Sequence, residues 1–232
     1  MTSGTTLEFN LISKNGSTRV ALPIKRAVIA GWTARDVAAM EKHIHELEEI
    51  GVPRPTSTPM YYRVGASRIT QADTIQAAGG DSSGEAEFIM VNIDGKLWVG
   101  TGSDHTDRKV ETYNITVSKQ MCDKPVAATL WPWEEVADHW DELMLRSHIV
   151  ENGERKLYQE GPVASMKQPP ELIEGYRKQG GTFDHGTLMF GGTLAAKGGI
   201  RPAERFEYEL VDAKLDRSIR HGYGMELLPI VG

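Results

Sequence analysis

Apolar and polar positions in this chain follow two different periods. Residues 7–12 (LEFNLI) and 18–30 (TRVALPIKRAVIA) read as extended segments separated by the turn Lys14-Asn15-Gly16. The period then lengthens. Thr33 is placed to cap a helix over 33–50, and Asp36 three residues on completes a capping box. Val37, Met40, Ile44 and Leu47 form one apolar stripe along that helix, and Gly51 and Pro53 end it. A short strand follows near 60–64, then the Gly/Ser-rich loop 79–84. Segments 85–93 (EAEFIMVNI) and 96–101 (KLWVGT) flank Asp94-Gly95, a hairpin signal because both turn positions favour positive φ. Further helices are predicted over 133–145, just behind Pro132, and after Pro170 as far as Gly180-Gly181. The last third returns to strands, including the alternating Phe206-Glu207-Tyr208-Glu209-Leu210. Many strands, a few short helices and no regular strand–helix alternation predict a β-rich α+β fold. Residues 1–30 read as an N-terminal β extension to a main unit over 31–232, together one compact body.

Composition narrows the function classes. With 232 residues, 40% of them hydrophobic, the chain is long enough for one sizeable core. Five tryptophans and 24 glycines suit strands joined by tight turns. The net charge is -6 and the basic residues form no run, so neither nucleic acid nor an anionic membrane is expected as a partner. No apolar stretch approaches the roughly 20 residues a membrane span needs. The opening MTSGTTLEFN lacks the layout of a signal peptide. A single cysteine, Cys122, excludes an internal disulfide and fits a reducing compartment, so a cytoplasmic location is expected.

The chemistry concentrates around the hairpin. Glu85 and Glu87, two apart at the start of a strand, share a face with Ile89, Val91 and Ile93. Two like charges at the head of a buried apolar row are costly unless a cation neutralises them, and a hard divalent metal prefers such oxygens. The alternative is an exposed strand end, since this spacing is common. Just past the second strand lies Gly102-Ser103-Asp104-His105-Thr106-Asp107-Arg108, in reach of the glutamates. Asp104, His105 and Asp107 are candidate ligands, and Arg108 can hold a substrate carboxylate bidentately. Asp107 reads either as a group orienting His105 or Arg108 or as surface. On the first helix His45 and Glu48 are three apart, which would let the carboxylate orient an imidazole base; His43 competes for that role.

Together these segments resemble the C-terminal catalytic region of the fumarylacetoacetate hydrolase superfamily, and more closely a bacterial family of domains of unknown function related to it. The resemblance runs from about residue 40 to 215. It rests on Glu85-Ala86-Glu87 as the metal motif and on Asp104 to Arg108 as the segment with the third ligand. Ser118-Lys119-Gln120, read as part of a strand, answers the lysine motif. The segment from Gln159 to Met166, the loop Gly192-Thr193-Leu194 and the His45–Glu48 pair complete the pattern, with Arg63 where the superfamily often has lysine. Three departures stand out: a short gap between Glu87 and Asp104, leucine at 194 in place of proline, and arginine at 63.

The resemblance implies a distorted β-roll, usually dimeric, with Mg²⁺ or Mn²⁺ held by Glu85, Glu87 and Asp104. It implies hydrolytic cleavage of a C–C bond in a small 2-oxo or 1,3-dicarbonyl acid through a metal-bound enolate. His45, held by Glu48, would be the base and Lys119 a catalytic cation. Arg63, Arg108, Gln159 and Thr193 would bind substrate. Related chemistry on the same metal ligands gives a hydratase, decarboxylase or isomerase as the second reading, and a non-catalytic ligand-binding protein as the third.

Overall fold

The computed structural model describes residues 5–49 and 54–231. β1 (Thr6–Ser13) and β2 (Gly16–Pro23) form a hairpin closed at Ser13 and Gly16. The single strand predicted over 18–30 is in fact two. Pro23 has no N–H for a ladder, so β2 stops there, and β3 (Arg26–Gly31) pairs instead with β4 (Met60–Val64).

Helix α1 (Val37–Glu49) begins later than the cap signal predicts. Thr33 is buried, its carbonyl accepts the Lys167 N–H at 2.8 Å, and Ala34 bridges to Met166. Tertiary pairing thus keeps 33–34 extended, and the Asp36 carbonyl accepts the first helical N–H, from Met40 at 3.0 Å. Met40 and Ile44 are buried as the stripe requires, whereas Val37 is exposed. The side chains of His43 and Leu47 lie outside the described residues, as do Ile50, Gly51 and Pro53.

Short strands β5 (Ile69–Thr70), β6 (Thr74–Ala78) and β7 (Ser82–Ser83) lead to the predicted hairpin, β8 (Ala86–Ile93) and β9 (Lys96–Ser103). Its turn has φ of 52° at Asp94 and 80° at Gly95, as the sequence requires. Then come β10 (Thr106–Asp107), α2 (Arg108–Glu111), α3 (Ile115–Met121), β11 (Lys124–Pro125) and β12 (Thr129–Pro132). The helix predicted over 133–145 is cut short. α4 (Trp133–Val136) passes into a 3-10 segment, Ala137–Glu142, and β13 (Met144–Glu151) starts where helix was expected. His139 leaves helical geometry at φ −134° and sets its Nε2 2.9 Å from the buried Asp212. β14 (Glu154–Pro162) and α5 (Pro169–Lys178) follow, the latter with proline at its start and Gly180 at φ 83° just past its end. β15 (Thr187–Thr193), β16 (Arg205–Asp212) and β17 (Arg217–Leu228) complete the chain.

An eight-stranded sheet runs β2-β1-β12-β9-β8-β15-β3-β4, and a five-stranded sheet runs β14-β13-β16-β17-β6. β1 and β3 are therefore built into the main sheet, the former beside β12 and the latter beside β15. β8 sits inside the larger sheet with every residue buried. Its Phe88 and Met90 join a core shared with Tyr208 and Tyr223 of the smaller sheet. Its Ile89, Val91 and Ile93 face a second core that gathers Phe9 from β1 and Tyr62 and Val64 from β4. Strands from opposite ends of the order meet in that core, so the sheet curls into a distorted roll. Each large apolar side chain sealed there contributes about 1.5–3 kcal/mol. Among the described residues no helix is long and apolar enough to cross a membrane.

Candidate metal centre

Hairpin register assembles the acids. Ala86 pairs with Ser103 and Glu87 with Gly102, so Glu85 falls opposite Asp104, whose N–H donates to the Glu85 carbonyl at 3.0 Å. One carboxylate oxygen from each of Glu85, Glu87 and Asp104 lies within 4.8 Å of the other two. Glu87 and Asp104 are buried and Glu85 nearly so. The Gly192 N–H donates to Glu87 Oε2 at 2.7 Å. Gly192 itself sits at φ 113°, and a Cβ there would meet Thr33 Oγ1 at 2.0 Å, so only glycine fits.

Three cations surround the acids. Lys119 reaches Asp104 Oδ2 from α3. The segment around Lys119 is helical, not the strand expected, because the Asn114 side chain accepts the Val117 N–H and caps a new helix. Arg108 places Nη2 3.2 Å from Glu85 Oε1 and donates from Nε to Ser83 Oγ at 2.7 Å and from Nη1 to Glu111 at 2.9 Å. Lys124, which the sequence reading passed over, is fully buried. Its Nζ lies 3.2 Å from Asp104 Oδ1 and donates to the His105 carbonyl at 2.5 Å. The one signal for it was the following proline, which holds Lys124 extended on a short strand.

Electrostatics follow from this packing. Burial, then the nearby Asp104 charge, pushes the Glu87 carboxyl well above the usual range, and Lys119 draws it back only in part. Burial also raises Glu85, against the pull of Arg108. For Asp104 burial pushes upward, but Lys119 and Lys124 outweigh it and hold the carboxyl below its ordinary value. Burial opposes charge on Lys119 too, yet Asp104 and Glu85 keep its ammonium firmly protonated. Burial wins at Lys124 and lowers it. His105 is pulled down to about 3, first by burial and then by Lys124 and Arg108, so its imidazole is neutral.

This donor set fits a hard divalent cation. It is all oxygen, the ionised form of Glu87 is disfavoured as it stands, and the fully buried Asp104 Oδ1 faces Lys124 Nζ at 3.2 Å with room for a further positive charge. A cation between the three acids meets each condition, and Mg²⁺ or Mn²⁺ suits such ligands.

The remaining predicted residues divide. Thr193 stands beside the site, donating from Oγ1 to the Ala86 carbonyl at 2.7 Å. Gln159 is engaged within the fold. Its Nε2 donates to Thr193 Oγ1 and the Leu194 carbonyl, and its Oε1 accepts from the Ala86 N–H and Ser147 Oγ, so its whole capacity is used in bracing β8. Arg63 also departs from expectation. Alternation along β4 turns Tyr62 toward the site, with Lys119 Nζ 5.7 Å from its ring centroid, and sends Arg63 to the opposite face, where Nη1 donates to Tyr176 Oη at 3.4 Å. His45 and Glu48 do pair, Nδ1 to Oε2 at 3.9 Å, but the His45 side chain is 73% exposed and not buried against the carboxylates. Asp107 caps α2, its Oδ1 accepting the Val110 N–H at 2.8 Å. His105 bonds to Tyr223 and Ser82 and donates nothing to the acids.

No curated protein sequence matches this chain. Solved structures do. A provisionally assigned fumarylpyruvate hydrolase from Burkholderia cenocepacia aligns with a TM-score of 0.64 at 18% identity, covering 99% of this chain and 94% of its own. A provisionally assigned fumarylacetoacetate isomerase/hydrolase from Oleispira antarctica gives 0.64 at 18%, covering 93% and 99%. A 2-keto-3-deoxy-D-arabinonate dehydratase in its apo form gives 0.60 at 14%, covering 87% and 73%. The fold is thus that of the fumarylacetoacetate hydrolase superfamily, as the resemblance implied. Residues 30–223 match the family described as protein of unknown function (DUF2848), and the chain belongs to that family.

Proposed function

We propose that this protein is a divalent-cation-dependent hydrolase that cleaves a C–C bond in a small 2-oxo or 1,3-dicarbonyl acid of the acylpyruvate type. The observation that carries the reading is the cluster of Glu85, Glu87 and Asp104, with oxygens within 4.8 Å of one another. These carboxylates would hold Mg²⁺ or Mn²⁺, which supplies a Lewis acid for negative charge developing on substrate oxygens. The chain's own groups do the rest. Arg108, whose Nη2 is ion-paired with Glu85 at 3.2 Å, offers its guanidinium to a substrate carboxylate once a cation takes over the charge of Glu85. Lys119 compensates a second negative charge. At the end of β15, where the Thr193 hydroxyl is committed to the Ala86 carbonyl, the adjoining backbone N–H groups hold an oxygen. His45, oriented by Glu48, takes a proton from water; the hydroxide carbon–oxygen bond forms on the acyl fragment as the C–C bond breaks, and the proton ends on the carbon released.

The test is product identity. Two carboxylic-acid fragments from an acylpyruvate, seen by NMR, are expected. His45→Ala should lower turnover about 10²–10⁴-fold with cation binding unchanged. A dehydratase with the same fold favours a lyase as the second reading, and an unbroken carbon chain that has lost water would select it. No turnover on any oxo-acid would refute both.

A further inference from the structure

Behind the carboxylates a chain of buried polar groups ties the two sheets together. The Glu85 N–H donates to Ser103 Oγ at 3.2 Å, and Ser103 Oγ lies 2.8 Å from Tyr223 Oη. Tyr223 Oη is 2.9 Å from His105 Nδ1, and His105 Nε2 is 2.9 Å from Ser82 Oγ. Ser103 and His105 flank Asp104, while Tyr223 comes from β17 in the smaller sheet. All of the side chains are buried, and the Tyr223 and His105 rings meet edge-on at 5.6 Å.

Protons can run along this chain in two directions, which differ in the serine that keeps an unmatched hydroxyl proton. Ser103 Oγ already accepts the Glu85 N–H, so its own proton is free to go to Tyr223 Oη. The single Tyr223 proton then goes to His105 Nδ1, which must be bare, and the imidazole proton sits on Nε2 facing Ser82. The reverse order would have Tyr223 donate to Ser103 and accept from His105 Nδ1, so the unmatched hydroxyl proton would fall on the fully enclosed Ser103 instead of on Ser82, which is 4% exposed.

We infer that Tyr223 is a positioning residue for the acid cluster: by accepting from Ser103 and donating to His105 it fixes the chain on both sides of Asp104 and holds His105 as its Nε2–H tautomer. Its effect on cation binding rests on the metal reading above; the direction of the hydrogen bonds does not. Groups that orient a metal ligand from behind typically change affinity about 10- to 100-fold when removed.

The experiment is calorimetric titration of chelator-treated full-length protein with Mn²⁺. Tyr223→Phe should weaken binding about 10- to 100-fold. Tyr208→Phe, whose buried hydroxyl has no hydrogen-bond partner among the described residues and whose ring lies 6.4 Å from that of Tyr223, should leave it unchanged. Equal weakening in both variants, or none in Tyr223→Phe, overturns the proposal. If the unaltered protein binds no Mn²⁺, the metal reading fails. In that case, or if Tyr223→Phe does not fold, histidine-selective ¹⁵N NMR of the unaltered protein decides. A bare Nδ1 with a protonated Nε2 supports the chain, and the opposite tautomer overturns it.

Discussion

Replacing Glu87 by glutamine should make the metal-free protein more stable while abolishing its response to metal. Two carboxylates at most 4.8 Å apart repel by about 3.5 kcal/mol at an effective dielectric near 20. Lys119, drawn to Asp104, offsets part of that. Glutamine fills the same space and can still accept the Gly192 N–H, so the net gain should be about 1–3 kcal/mol at neutral pH. For a domain of this size that raises the unfolding midpoint by about 2–12 °C. The folded-state carboxyl of Glu87 is raised, so the parent loses stability as pH climbs from the ordinary carboxylate range through the raised value. The advantage of the variant therefore opens with rising pH and closes in acid. In Mn²⁺ at about 100 times its dissociation constant the parent should recover about 2.7 kcal/mol and the variant nothing. Thermal unfolding in chelator and in Mn²⁺ reads all of this. A variant less stable than its parent in chelator, or one that gains as much from Mn²⁺, would refute the electrostatic argument.

Because burial raises both Glu85 and Glu87, protons compete with the cation. Mn²⁺ affinity measured across a pH series should fall as pH drops through that raised range, by about tenfold per unit for each proton displaced, and a flat profile would count against the site. Lys124→Met leaves the buried Asp104 short of one counter-charge and should cost about 3–5 kcal/mol in urea unfolding with chelator, part of it regained with Mn²⁺. Arg63→Met should leave KM unchanged, because Arg63 lies on the face of β4 away from the acids; a rise in KM would return it to the substrate site.

The acids were legible because two short-range rules meet there: period two along β8, and a hairpin whose Asp94-Gly95 turn sets the register that brings Asp104 across from Glu85. What escaped depended on contacts distant in sequence. Thr33 has the residue pattern of a cap, but Lys167 and Met166 hold its neighbourhood extended. Arg63 is one position from Tyr62, and a step of one in a strand exchanges faces, so only the pairing of β4 with β3 decides which residue looks inward. Gln159 lies in a recognisable segment, yet its donors and acceptors are taken by β8 and by the Thr193–Leu194 backbone. Lys124 was passed over because only the fold buries it against Asp104.

The most direct test of a cation-dependent oxo-acid hydrolase is the ultraviolet absorbance of enolised acylpyruvates, followed with protein in Mg²⁺ or Mn²⁺ and then in excess chelator. Decay of the enol band that requires the cation and is absent in Glu87→Gln is the predicted result. Decay that persists in chelator, or that Glu87→Gln retains in full, would contradict the account.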